Sequence, residues 1–251
     1  MKLIVDGLAI NYRREGSGRV VLMLHGWMSD SQTFSQLVQQ LSGTYDVIRL
    51  DLPGFGDSEL PPSSWGLSEY VAFIVAFLEK LKIERLHAII GHSLGGRIVI
   101  KAVGSGQLKA DRLVLLGSHG INQSRSMRNR LYWLAAKTGK VVTKPLPAKI
   151  KVKLRQRLYR RVGATDYLQA GALQQTFLNI IREDVRPEAA MITAPTLLIY
   201  GQDDEVTPPE FGKTFQRLIE GSKLEVISQA GHFVHEDQLP IVAKLVTEFL
   251  Q

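Results

Sequence analysis

The sequence predicts an α/β fold: a mainly parallel, eight-stranded sheet flanked by helices, with one helical insertion. Three observations predict it. Short, β-branched apolar runs alternate with stretches whose apolar residues recur at helical spacing, the pattern of a sheet covered on both faces. Residues 86–103 read as a buried strand, a sharp turn at Gly91-His92-Ser93-Leu94-Gly95, and a helix. Between about 121 and 192 the alternation stops, and only helical spacing remains. The chain has 251 residues, 45% of them hydrophobic, which suits one α/β domain with an insertion better than two full domains.

Leu3–Val5 and Ala9–Arg14 form two short strands around Asp6-Gly7, a hairpin signal. Val20–Leu24 is a buried strand leading into His25-Gly26-Trp27. Asp30 or Ser29 caps a helix that carries Phe34, Leu37, Val38 and Leu41 on one face. Asp46–Leu50 is the next strand and ends in Asp51-Leu52-Pro53-Gly54-Phe55-Gly56-Asp57-Ser58. Ser68 is expected to cap a helix running to Lys80. Leu86–Ile90 is a strand, with Ile98, Val99, Ala102 and Val103 marking the helix after it. Arg112–Leu116 is a further strand, followed by Gly117-Ser118-His119-Gly120.

In the insertion, amphipathic helices are expected on Met127, Leu131, Leu134 and Ala135, and on Ala170, Leu173, Phe177, Ile180 and Ile181. Ile150, Leu154, Leu158 and Val162 suggest another between them, although its start also fits strand alternation. Strands resume at Thr196–Tyr200 and Leu224–Ile227, each followed by a helix, the last from about Pro240 to Leu250. Residues 1–120 and 193–251 thus form the core, and 121–192 the insertion.

In such a sheet, ligands bind at the carboxyl ends of the strands. The loops there contain nearly every residue with useful chemistry. Gly91-His92-Ser93-Leu94-Gly95 is a G-x-S-x-G nucleophile elbow in its required strand–turn–helix context. A side chain at 91 or 95 would block the close approach of helix to strand, and the helix start favours negative charge beside Ser93. A serine hydroxyl needs a base, and the base needs a carboxylate to orient it. Later strands end in Gly201-Gln202-Asp203-Asp204-Glu205-Val206-Thr207-Pro208 and in Ala230-Gly231-His232-Phe233-Val234-His235, in the order Ser, Asp, His.

On His25-Gly26-Trp27, Asp51-x-Pro53-Gly54-x-Gly56-x-Ser58, Gly91-His92-Ser93-Leu94-Gly95-Gly96, Gly201-x-x-Asp204 with Pro208, and Gly231-His232, the chain resembles the α/β-hydrolase superfamily over essentially its whole length. The resemblance implies Ser93 as nucleophile, His232 as general base, and Asp204, by its spacing from Gly201 and Pro208, as the acid ahead of Asp203 and Glu205. It places oxyanion donors on the amides of Leu94 and Trp27. His25, Gly26, His92, His119 and Phe233 are candidate pocket or structural residues, and His235 a loop histidine making a structural hydrogen bond. The turn from Asp51 to Ser58 shapes the rim. The insertion falls where this family carries a helical cap.

These features imply a serine esterase working through an acyl-enzyme, with no cofactor and no metal; His232, His235 and Glu236 do not meet zincin spacing. Ser93 argues against haloalkane dehalogenases and epoxide hydrolases, which resemble this chain but carry aspartate there. Carbon–carbon bond hydrolases differ in having asparagine where this chain has His92 and tryptophan where it has Phe233. A menaquinone-pathway lyase shares Arg97 after Gly95-Gly96 but has tyrosine at position 92; perhydrolases share the triad, and a non-catalytic binding protein would not need it.

The net charge is +7, yet 13 of the 31 Lys and Arg lie between Asn122 and Thr165, a stretch without Asp or Glu. The remaining 18 basic and 24 acidic residues leave a net of −6. The basic run has three readings: attraction of an anionic substrate, weak contact with an anionic membrane surface helped by Leu131, Trp133 and Leu134, or a solvated face. Nucleic-acid binding is not expected, as no motif supports it. There are no cysteines, and Met1–Ile10 lacks the long apolar core of a signal peptide, so a cytoplasmic protein is expected.

Overall fold

A computed structural model describes residues 1–121 and 169–251. Eight strands form one sheet: β1 (Lys2–Val5), β2 (Leu8–Glu15), β3 (Arg19–Leu24), β4 (Tyr45–Leu50), β5 (Leu86–His92), β6 (Ala110–Leu116), β7 (Thr196–Gly201) and β8 (Lys223–Ile227). Their spatial order is β1-β2-β4-β3-β5-β6-β7-β8. The β1–β2 and β2–β4 pairs are antiparallel, and every other pair is parallel. The expected fold class is therefore correct, and each expected strand is present and one or two residues longer.

The inner strands read as continuous apolar runs because both faces are covered. Leu22 and Leu24 of β3, Leu113 and Leu115 of β6, and Leu198 and Tyr200 of β7 face one core layer. The alternate residues Val21, Met23, Val114, Leu116, Leu197 and Ile199 face the other. Helices α2 (Leu67–Lys80), α3 (Leu94–Gly104) and α6 (Pro209–Leu218) supply the first layer. Helices α1 (Ser35–Leu41) and α8 (Leu239–Leu250) supply the second. Each fully buried Leu or Ile contributes about 1.5–3 kcal/mol.

Asp30 is the cap of the first helical segment: its side chain accepts the Gln32 N–H at 2.7 Å. That segment is a 3-10 turn, Ser31–Phe34, which runs directly into α1. The expected cap of α2 is corrected. Gly66, not Ser68, is the N-cap. Carboxylates take over the capping, with Glu69 accepting the Gly66 N–H at 2.7 Å and Glu183 accepting the Leu67 N–H at 2.9 Å. Ser68 lies inside the first turn.

In the insertion, the expected helices on Met127–Ala135 and Ile150–Val162 lie outside the described residues. The one on Ala170–Ile181 is a 3-10 turn, Gly171–Leu173, followed by α4 (Gln174–Arg182); α5 (Arg186–Ala189) comes next. Among the described residues no helix is long and apolar enough to cross a membrane.

The strand order reverses between β3 and β5, since β4 follows β3 outward on one side and β5 begins the other half. Such switch points open a crevice at the carboxyl ends of the strands. His25-Gly26-Trp27 leaves β3 there, and the Ser93 turn leaves β5.

Candidate active site

Ser93 sits at the junction of β5 and α3 with φ 51° and ψ −109°, a conformation outside the regions open to L-residues. The surroundings impose it. The Ser93 N–H donates to the Leu116 carbonyl at 3.0 Å, and the Ser93 carbonyl accepts from Arg97 N–H at 3.1 Å and His119 N–H at 3.4 Å. A Cβ at Gly95 would strike the Leu24 carbonyl oxygen, so α3 starts directly against the end of β3. A Cβ at Gly26 would lie 2.9 Å from His92 Nδ1 and 3.1 Å from Ser93 Cβ. The loop that carries Trp27 is thereby pressed against the serine turn. Leu94, first residue of α3, has an amide with no acceptor inside the helix.

Asp204 and His232 are brought together from the loops after β7 and β8: His232 Nδ1 lies 2.8 Å from Asp204 Oδ2. The Asp204 side chain is fully buried, whereas His232 keeps 16% exposure. Asp204 Oδ1 accepts the amides of Val206 and Thr207, both at 2.8 Å. Oδ2 also accepts the Thr207 hydroxyl at 2.6 Å. Burial pushes this carboxyl up, but the bonds from His232 and Thr207 outweigh it and the net displacement is downward. Asp203 and Glu205 are exposed.

His92, the residue before Ser93, ties these parts together. Its Nε2–H donates to the His232 carbonyl at 2.9 Å, since a carbonyl can only accept. That bond fastens the loop bearing His232 to the strand end bearing Ser93. His92 is buried and held well below the usual histidine range, first by burial and then by His235 and His232. His25 is equally buried: its Nε2 accepts the Leu52 N–H at 2.9 Å, and its Nδ1 lies 2.7 Å from the Gly26 carbonyl, to which it donates. Burial lowers its pKa as well.

His119 accepts the Gly120 N–H at 2.8 Å and is pushed down to about 4 by burial, then by Arg97 and His232. His235, also brought down to about 4 by burial and then by His232, is fixed by Thr33 Oγ1 at 2.9 Å, the structural bond expected of it. Phe233 is partly exposed, its ring 5.0 Å from that of His92. Asp51 accepts from Asn11, Ser31 N–H and Asp57 N–H, which folds the turn to Ser58 into a rigid rim.

The returning end of the insertion lies over this region. Phe177 of α4 contacts the Trp27 ring at a centroid distance of 5.1 Å, and Phe55 contacts it at 5.0 Å from another side. Thr176 accepts the Trp65 N–H at 3.0 Å. Arg97 of α3, almost fully buried, donates to the Glu183 carbonyl, and Lys101 pairs with Glu188 at 2.7 Å.

Two of these residues escaped the sequence reading. Thr207 stands three residues after Asp204, a spacing at which Asp side chains bond back to nearby amides, and that was the available signal. Glu183 carried no local signal, because its partners are over 80 residues away.

Comparison with known proteins agrees with the fold. The family model described as the alpha/beta hydrolase fold matches residues 19–239. The chain is 26% identical to the uncharacterized hydrolase YugF of Bacillus subtilis, covering 100% of this chain and 97% of that one. It is 25% identical to 2-hydroxy-6-oxo-2,4-heptadienoate hydrolase of Pseudomonas putida, covering 99% and 95%. Among solved structures it is similar to an esterase from Exiguobacterium antarcticum, with TM-score 0.76, 25% identity, and coverage of 98% and 97%. With the sheet order, the switch-point crevice and a family match over most of its length, the chain belongs to the α/β-hydrolase family.

Proposed function

We propose that this hydrolase cleaves a small carboxylic ester through an acyl-enzyme on Ser93. The observation that carries the reading is the contact at 2.8 Å between the buried Asp204 and the partly exposed His232, fastened through His92 to a strained serine turn. Ser93 Oγ attacks the ester carbonyl while His232 Nε2 takes its proton. Asp204 holds the ring by Nδ1 and stabilises the imidazolium. The amides of Trp27 and Leu94 bind the tetrahedral oxyanion, each worth about 10²–10³ in rate. Collapse breaks the bond to the alcohol oxygen, which leaves with the proton from His232. Water then attacks the acyl carbon, His232 again carrying the proton, and the acid departs with Ser93 restored. The segment 121–192 is read as a cap over the pocket; the contacts of Phe177 and Thr176 with Trp27 and Trp65 support this. Its basic run makes an anionic substrate or surface a secondary expectation.

The test is hydrolysis of p-nitrophenyl esters from acetate to palmitate by wild type and Ser93→Ala, with fluorophosphonate labelling alongside. Ester turnover that falls by about 10⁶ in Ser93→Ala supports the reading. Labelling of Ser93 without ester turnover moves it to carbon–carbon cleavage, the reaction class named for the Pseudomonas putida relative. Equal activity in both proteins overturns the assignment of Ser93.

A further inference from the structure

Thr207 is fully buried and its hydroxyl has more neighbours than hydrogens. Oγ1 lies 2.6 Å from Asp204 Oδ2, 2.9 Å from the Gly117 carbonyl and 3.1 Å from His232 Nδ1. The first two can only accept, so the single hydroxyl proton serves one of them at a time. His232 Nδ1 carries a hydrogen directed at Asp204 Oδ2, and toward Thr207 it can only donate.

We infer that the Thr207 hydroxyl is a positioning group that competes with His232 for Asp204 Oδ2 and so sets how much negative charge that oxygen offers the imidazolium. The inference rests on His232 being the proton carrier of the proposed reaction. While the ring is neutral, the short contact to Oδ2 is the preferred one, because a hydroxyl bound to a carboxylate makes a charge-assisted bond. When the ring takes a proton at Nε2, the hydroxyl can turn to the Gly117 carbonyl. Oδ2 is then left to the imidazolium, and a Thr207 lone pair faces Nδ1–H. No proton leaves Thr207; only its dipole rotates.

The other histidines around His232 sit on different elements and stay neutral near pH 7. They are His92 of β5, His119 after β6 and His235 of the short helix α7 (Val234–Asp237), all of which burial holds low; Arg97 stands behind His119. Asp204 is the carboxylate bonded to the ring. Removing the competing hydroxyl costs the neutral-ring state its charge-assisted 2.6 Å bond, and the imidazolium state the weaker neutral 2.9 Å bond to the Gly117 carbonyl with the 3.1 Å contact. The protonated ring is therefore favoured.

The experiment compares wild type, Thr207→Val and Thr207→Ser by residue-resolved ¹H–¹⁵N NMR titration of the His232 ring, with the acid limb of kcat/KM for p-nitrophenyl ester as a second readout. In Thr207→Val the ring midpoint and the acid limb are expected to move up by about 0.5–1 pH unit, with Thr207→Ser close to wild type. If Thr207→Val does not fold, Thr207→Ala strips the same hydroxyl without leaving a methyl against the Gly117 carbonyl. An unmoved or lowered midpoint in a folded variant overturns the inference, even if activity falls, because a merely structural threonine would lower rate or stability without raising the midpoint. The NMR readout needs no ester turnover. A raised midpoint in a protein without turnover overturns the esterase reading and leaves the tuning role, and turnover without the raised midpoint does the reverse.

Discussion

Replacing Ser93 by glycine is expected to make the protein more stable while abolishing its activity. Ser93 has φ 51° and ψ −109°, and its N–H and carbonyl are tied to Leu116, Arg97 and His119. A non-glycine residue held in such a conformation costs about 1–3 kcal/mol. Glycine relieves that cost, but its greater freedom in the unfolded chain takes back about 0.5–1 kcal/mol. No capping bond is lost, because the Ser93 side chain makes none to α3. The net gain is centred on about 1 kcal/mol and reaches about 2.5 kcal/mol at most, or a rise in Tm of about 2–4 °C at the centre and about 10 °C at most for a domain of this size. Ser93→Ala is the control: it removes the same hydroxyl but keeps the Cβ and hence the strain, so its Tm should stay within about 1 °C of wild type. Scanning calorimetry with urea titration of the three proteins measures this. A Ser93→Gly protein that melts at or below Ser93→Ala would refute the idea that the turn stores strain.

Two further outcomes follow from the site. Asp204→Asn should lower kcat by about 10³–10⁴, as it leaves His232 without its anionic partner, whereas Asp203→Asn, at an exposed position, should stay within about threefold; equal losses would transfer the role between neighbours. Acid should unfold the protein early. His92, His119 and His235 are buried with lowered pKa, the latter two at about 4, so the unfolded chain binds their protons first. The stability they contribute is fully present above about pH 6.5 and drains away as pH falls toward 4, by up to about 1.4 kcal/mol per unit for each histidine. Urea midpoints at pH 7.5, 6 and 5 should fall steeply, and less so in His235→Gln; a flat profile would mean these rings are not buried neutral.

Most of the fold was legible in the sequence because its signals are local. Strands such as Val20–Leu24 and Arg112–Leu116 announce themselves as unbroken apolar runs, which is what burial on both faces requires. The elbow is legible for the same reason, since Gly91, Ser93 and Gly95 must meet within one turn. Asp204 could be picked out by its distance from Gly201 and Pro208, and it is the one of three adjacent acids that is buried. What stayed hidden depends on pairs remote in the chain. Ser68 looked like the cap of α2 because serine caps well, yet Glu69 bonds back to the Gly66 N–H and Glu183 reaches the Leu67 N–H across 116 positions, which leaves Ser68 inside the first turn. The link from His92 to the His232 carbonyl spans 140 positions and has no periodicity to betray it.

The body grips the insertion at both of its roots. On the entry side, Tyr200 donates to the Ser118 carbonyl at 2.9 Å. On the return side, Glu183 and Glu188 are held by Leu67, Arg97 and Lys101. None of these bonds is made by residues 122–168. The places where the chain leaves the body and where it returns are thus set by Tyr200, Leu67, Arg97 and Lys101 of the body itself, and the strongly basic block is carried between two points it does not choose.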